Sequence, residues 1–232
     1  MIPVNTKKQY HPLIQDNIIE IRNLNHDRFK PKDKYEYSEA AETVIANAVE
    51  KPFNLIAENL TRGFDSRHDF EFRSPVSEKT RTTELKITGK DDLNIEYAYE
   101  DGSPSGISVS TAAIYLTLSG GWTGTGSWAK HVGRLRMYKT YELKEIVDWL
   151  KTKPKFCRNY AGNGEGRGSQ CVVLTKELLK DLNSEGLQSL DIGLMDIGLV
   201  KKDGRIVGYD MNDLNPCGNL QYAQSRVWKW FS

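Results

Sequence analysis

The sequence predicts an α/β (α+β) domain, and three observations predict it. Apolar residues recur at helical spacing in 38–60 and again in 141–153; between and after these stretches they alternate with polar residues or form short strand-like runs. Helix, several strands, helix, strand is the order of a sheet covered by helices. The 232 residues contain no repeat period and no long low-complexity linker, so a single core domain is expected. Its bounds are read as 37–190, with an N-terminal arm over 1–36 and a C-terminal hairpin and tail over 191–232 packed on it.

The first helix has its start signal at Ser38, whose hydroxyl suits the exposed amides of a first turn, and its stripe in Ala41, Val44, Ile45, Ala48 and Val49. Pro52 is expected to kink or divide it, with Leu55, Ile56 and Leu60 continuing the apolar face. Two alternating runs follow, DFEFR (69–73) and TTELKIT (82–88). A third, NIEYAY (94–99), sets Ile95, Tyr97 and Tyr99 opposite Glu96 and closes in the turn EDGSPSG. AAIYLTL (112–118) reads as a buried strand ending at the breaker SGG, and GGWTGTGSW (120–128) as a loop. RLRMYKT is a strand, YELKEIVDWLKTK a helix stopped by Pro154, CVVLT a strand, and TKELLKDLN a short helix capped by Thr175. GLVKKDGRIVGY is a hairpin turning at Lys202–Gly204, and VWKWF is a hydrophobic anchor or a dimer contact.

Bulk numbers remove several function classes. Hydrophobic residues are 38% and charged residues 27%, a globular balance. Net charge is only +1, so a strongly basic nucleic-acid binder is not indicated, although local basic patches remain open. No apolar run approaches the ~20 residues of a membrane span. The start, MIPVNTKKQYHPLIQD, has no apolar signal region, and a cytoplasmic location is expected. Cys157, Cys171 and Cys217 lack CxxC spacing and leave one over, which fits reduced thiols rather than zinc or disulfides. The 4 histidines are scattered.

The chemistry concentrates in 67–88. Side chains two apart on a strand share a face, so Asp69 and Glu71 project together, as do Glu84 and Lys86. If the two runs pair, Asp69 and Glu84 converge, a costly arrangement unless a cation lies between them. Mg2+ suits such oxygen donors and takes only one or two carboxylates, keeping water for chemistry. Lys86 beside it can orient or help deprotonate that water and offset charge on a phosphate. The pattern alone also fits an ordinary amphipathic sheet with its acids in water.

Asp69, a turn, then Glu84-Leu85-Lys86 resembles the PD-(D/E)xK, or restriction-endonuclease-like, nuclease superfamily. The following order, Glu96, then Pro104-Ser105-Gly106-Ile107, then a buried strand, is similar to the layout of phage and mobile-element nucleases, and the likeness spans about residues 38–182. The resemblance implies a central mixed β-sheet flanked by helices, Mg2+ (with Mn2+ substituting), and hydrolysis of DNA as an endonuclease. It implies Asp69 and Glu84 as metal ligands, the Leu85 carbonyl as a further one, and Lys86 as the catalytic lysine. Glu71 is the alternative first acid, Glu96 a further acid, and Glu42 one more on the helix, where an ordinary exposed acid serves equally well. His68 stands where the motif has proline, Ala112-Ala113 where many relatives carry an acid, and the chain beyond 190 has no counterpart.

Other residues are expected to meet DNA: Arg81 near the scissile phosphate, Trp122, Trp128, Lys130, Arg134 and Arg136 by stacking and charge, and Arg158 and Arg167 from a basic loop. The tryptophans fit core edges equally well. A homodimer is an open expectation, as are a junction-selective enzyme and a non-catalytic nucleic-acid-binding or interaction module on the same fold.

Overall fold

The computed structural model describes residues 18–19, 42, 45–58, 67–88, 92–123, 128–161, 168–202, 205–216 and 218–232, with the backbone alone for 18–19, 121–123, 128–132, 196–202, 205–213 and 215. Ser38, Ala41 and Val44 therefore lie outside the described residues. Helix α1 covers 45–53 and buries Ile45, Ala46, Val49 and Phe53 completely. Its apolar face does not continue as helix past Pro52. Asn54 takes φ 50, a left-handed conformation asparagine tolerates, and the Leu55 amide closes back on the Glu50 carbonyl at 3.1 Å. Ile56 then enters a strand.

β2 (Ile56–Glu58), β3 (Phe70–Arg73) and β4 (Thr80–Thr88) form an antiparallel meander. β4 next pairs in parallel with β6 (Ile114–Thr123), and the connection between them carries β5 (Leu93–Tyr99) and a 3₁₀ turn at Gly106–Ser108. β7 (Trp128–Lys139), β10 (Ser189–Lys202) and β11 (Arg205–Pro216) extend the sheet, and β1 (Ile18–Ile19) lies on its edge. The order is β1-β11-β10-β7-β6-β4-β3-β2, and every pair but β4–β6 is antiparallel among the described residues. This is a mixed central sheet in an α+β fold.

The SGG sequence predicted as a breaker lies inside β6, where Gly120 faces Gly133 across the ladder to β7. Pairing with β7 outweighs the low strand preference of glycine. The predicted loop GGWTGTGSW is therefore mostly strand, with only 124–127 outside the description. The predicted boundary at 190 falls inside β10, whose pairing with β7 starts at Ser189.

A second sheet has the order β5-β9-β8, with β8 at Cys157–Tyr160 and β9 at Ser169–Leu174. The simple alternation predicted for NIEYAY breaks at a bulge between Glu96 and Ala98. Tyr97 is the extra residue, so Ala98 rather than Tyr97 joins Ile95 in being buried.

Two cores follow. One face of the large sheet, with Phe70, Phe72, Leu85, Leu116 and Leu135, packs on α1 and the C-terminal helix α4 (Leu220–Trp228). The other, through Tyr115 and Tyr138, packs on the small sheet and helices α2 (Thr140–Leu150) and α3 (Lys176–Ser184). Thr175 caps α3 as expected, its hydroxyl accepting from the Leu178 amide. Among the described residues no helix is long and apolar enough to cross a membrane.

The VWKWF segment is an anchor. Gln224 and Trp228 donate to the Pro52 and Phe53 carbonyls at 2.6 and 2.7 Å, satisfying the end of α1, and Phe231 is fully buried. Phe231→Ala should cost about 3–5 kcal/mol in urea unfolding. A cost near zero would mean that the segment is peripheral.

Candidate functional site

The acids come together because β3 stops early. Phe70 is its first residue and pairs with Thr83, so beyond Thr83 the edge of β4 has no strand beside it among the described residues. Asp69 fills the gap with its side chain. Its amide donates to the Thr83 carbonyl at 2.9 Å, and its Oδ2 accepts from the Leu85 amide at 2.6 Å. In a paired extended strand, one residue's N–H and C=O project to the same edge. The Leu85 carbonyl therefore faces the edge that Asp69 occupies.

Glu84 and Lys86 pair in register with Tyr115 and Thr117 of β6 and share the face that carries Tyr115 into the second core. Glu84 is held by Ser110, whose hydroxyl donates to Oε2 at 3.2 Å. Ser110 is itself fixed on every side. Its amide bonds the Gly106 carbonyl at 3.0 Å, its oxygen accepts from the Ala112 amide at 3.2 Å, and its carbonyl accepts from Lys144 at 2.7 Å. Gly106, with φ +49, lies so close to β5 that a Cβ there would come within 2.4 Å of the Glu96 carbonyl oxygen. The Pro104–Ile107 turn thus locks β5 against the segment that orients Glu84.

Electrostatics mark the pair. Burial raises Asp69 to about 6, against the pull of the Leu85 amide and the Lys86 charge. Glu84 rises to about 8, first through burial and then through the charge of Asp69, with Glu96 adding and Ser110 and Lys86 opposing. Burial also raises the Tyr115 hydroxyl well above its usual range, with Glu84 and Asp69 adding to it. Asp69, Glu84, Lys86 and Glu96 thus act on one another. Glu71 instead turns to His68, 3.3 Å from Nε2, whose other ring nitrogen lies 3.3 Å from the Thr111 hydroxyl. Glu42 is helical and half-buried.

The donor set fits a hard cation. Asp69 and Glu84 supply two carboxylates, and the Leu85 carbonyl offers a third oxygen on the same edge. Among the described residues no three His, Cys, Asp or Glu side chains gather closely enough to hold a metal ion, so further ligands would be water or main-chain oxygen.

The residues expected to meet DNA are dispersed. Arg81 donates to the Trp230 carbonyl at 3.2 Å, tying β4 to the C-terminal segment. Arg134 and Arg136 lie 2.5 and 4.0 Å from Asp191. Arg158 is exposed and donates to its neighbour's carbonyl. The side chains of Trp122, Trp128 and Lys130, and all of Arg167, lie outside the described residues. Ser110 and Lys144 belong to the network that holds Glu84 and were not singled out by sequence. A serine 26 residues from its partner carries no local signal. Cys157 and Cys171 are free thiols, as expected.

The chain matches no family model, no curated protein and no solved structure.

Two outcomes check this geometry. Gly106→Ala should destabilise the fold by about 2–4 kcal/mol through strain and overlap. Gly102→Ala, with φ +81 and open space around it, should cost about 1 kcal/mol. Equal costs in denaturant unfolding would contradict the close approach to Glu96.

The second concerns pH. Both acids have folded pKa values above their unfolded ones, so their contribution to stability is full at low pH and falls as pH rises through about 6 and about 8. Metal-free protein should therefore melt at a lower temperature at about pH 9 than at about pH 5, and Glu84→Gln should flatten the upper part of that decline. An unchanged slope in the variant would contradict the assignment.

Proposed function

We propose that the chain is a Mg2+-dependent DNA endonuclease of the PD-(D/E)xK type. The observation that carries this reading is the convergence of Asp69, just before β3, and Glu84, on β4, with Lys86 on the face of Glu84. Two buried carboxylates raise each other's cost of ionisation, and a divalent ion is the partner that offsets both charges. Bound there, Mg2+ would acidify a water and counter charge on the phosphate.

The chain's own groups do the rest. Asp69 is fixed by the Leu85 amide and Glu84 by Ser110, so neither has to be ordered when substrate arrives. Lys86 directs its ammonium group to the attacking water or to a phosphate oxygen. Attack forms the new P–O bond to water oxygen, breaks one bridging P–O bond, and leaves a phosphate monoester and a hydroxyl end.

Glu84→Gln, Asp69→Asn and Lys86→Ala should each lower Mg2+-dependent cleavage of supercoiled plasmid by about a hundredfold or more while the fold survives. Glu71→Gln, on a carboxylate engaged with His68, should retain most of the activity. Wild-type rates in Glu84→Gln would sink the assignment. A second reading, a non-catalytic module on the same fold, is favoured by the engagement of Arg134 and Arg136 with Asp191 and by the lack, among the described residues, of a third metal-ligating side chain beside the two carboxylates. Plasmid incubated with Mg2+, Mn2+ or EDTA separates the two: metal-dependent strand breaks support the nuclease, and binding without breaks supports the module.

A further inference from the structure

β8 is the outer strand of the small sheet, and Arg158, Asn159 and Tyr160 on it are exposed. A charge on an edge strand blocks unwanted pairing, which accounts for the arginine but not for a tyrosine 45% exposed two residues on. Directly paired residues share a face of a sheet. Arg158 pairs with Cys171 and Cys171 with Glu96, so the three form one row across the small sheet. Tyr160 and its partner Ser169 lie on the same face, and the Ser169 hydroxyl is 3.8 Å from the Cys171 sulfur. The charge of Lys86 reaches that sulfur. The row therefore runs from the border of the acid pair out to an exposed edge.

The chain entering β8 adds charge and rings. Lys151, Lys153, Lys155 and Arg158 stand against Asp148, and Asp148 is taken by Lys151 at 2.6 Å. Lys153, Lys155 and Arg158 have no acidic partner among the described residues. Trp149 is 55% exposed with the Lys153 ammonium 4.6 Å from its ring centre. In a protein of net charge +1 this is a local excess of cations interleaved with exposed rings. A duplex offers phosphates but hides its base faces, whereas a single strand offers both to such a surface.

We infer that the β8 edge, with Trp149 of α2 on the side of one sheet face and Arg158 and Tyr160 on the other, binds a single-stranded nucleic acid, which Arg158 and Tyr160 lead toward Asp69 and Glu84. The direction of that path rests on the nuclease reading; the binding itself does not.

Fluorescence anisotropy of the full chain in EDTA, with labelled DNA and RNA single strands of about 20 nucleotides and a DNA duplex of equal length, tests it. Tighter binding of either single strand than of the duplex is expected. The double variant Trp149→Ala, Tyr160→Ala should weaken it about tenfold or more at an unchanged melting temperature. Lys153→Glu with Lys155→Glu should make the salt dependence shallower. Equal or tighter duplex binding, or ring variants that bind as wild type does, would overturn the inference. Tight single-strand binding by a protein that cuts nothing with Mg2+ removes the nuclease and leaves this surface standing. Metal-dependent cutting with ring variants that bind normally removes this surface alone.

Discussion

The hydrogen bond from the Leu85 amide to Asp69 is where the rest of the site begins, because it lets a side chain take over from a strand that stops short of Leu85. Had β3 continued in backbone pairing, that edge of β4 would be sealed by ladder bonds. Instead a carboxylate is held against the edge, facing a main-chain carbonyl and lying beside a second carboxylate. The cost is electrostatic. Two acids under a packed sheet face resist ionisation, and the resistance shows as the upward shift of both, larger in Glu84.

This arrangement is sustained by neighbours that leave Glu84 little freedom. Ser110 is bonded at its amide, its hydroxyl and its carbonyl, and the last of these reaches Lys144 on α2. Behind Ser110, the close approach of Gly106 to Glu96 joins the turn to the small sheet. The first-core face of the large sheet, packed by α1 and the C-terminal anchor, supplies the rigid backing. The second-core face carries Glu84 and Lys86 of the candidate site.

Much of this was legible in the sequence where local patterns decide it. Alternation in DFEFR and TTELKIT placed Glu84 and Lys86 on a strand, which is β4, whereas Asp69, expected on the other strand, lies just before β3 and reaches β4 through its side chain. The helix at 141–153 and the cap at Thr175 were legible because spacing and capping are local. What failed depended on distant partners. Ile56 reads as helix until Asn54 turns left-handed, and Ser119–Gly121 read as a breaker until β7 is in place beside them. The bulge at Tyr97 exists only relative to β9. Arg81, Arg134 and Arg136 look available to phosphates until Trp230 and Asp191 appear beside them. Ser110 and Lys144 carry no pattern at all, since their role comes from a turn that a glycine makes possible.

We propose that Asp69 and Glu84 form a cation site in which Glu84 keeps its proton until a cation binds. Calorimetric titration of Mg2+ near pH 7, in two buffers of different ionisation enthalpy, counts the protons released on binding. Glu84, raised to about 8, holds its proton at that pH and has to give it up to an ion, so a release of about one proton per ion is predicted, falling toward zero in Glu84→Gln. Mg2+ binding that releases no proton, or the same number in both proteins, would contradict the account.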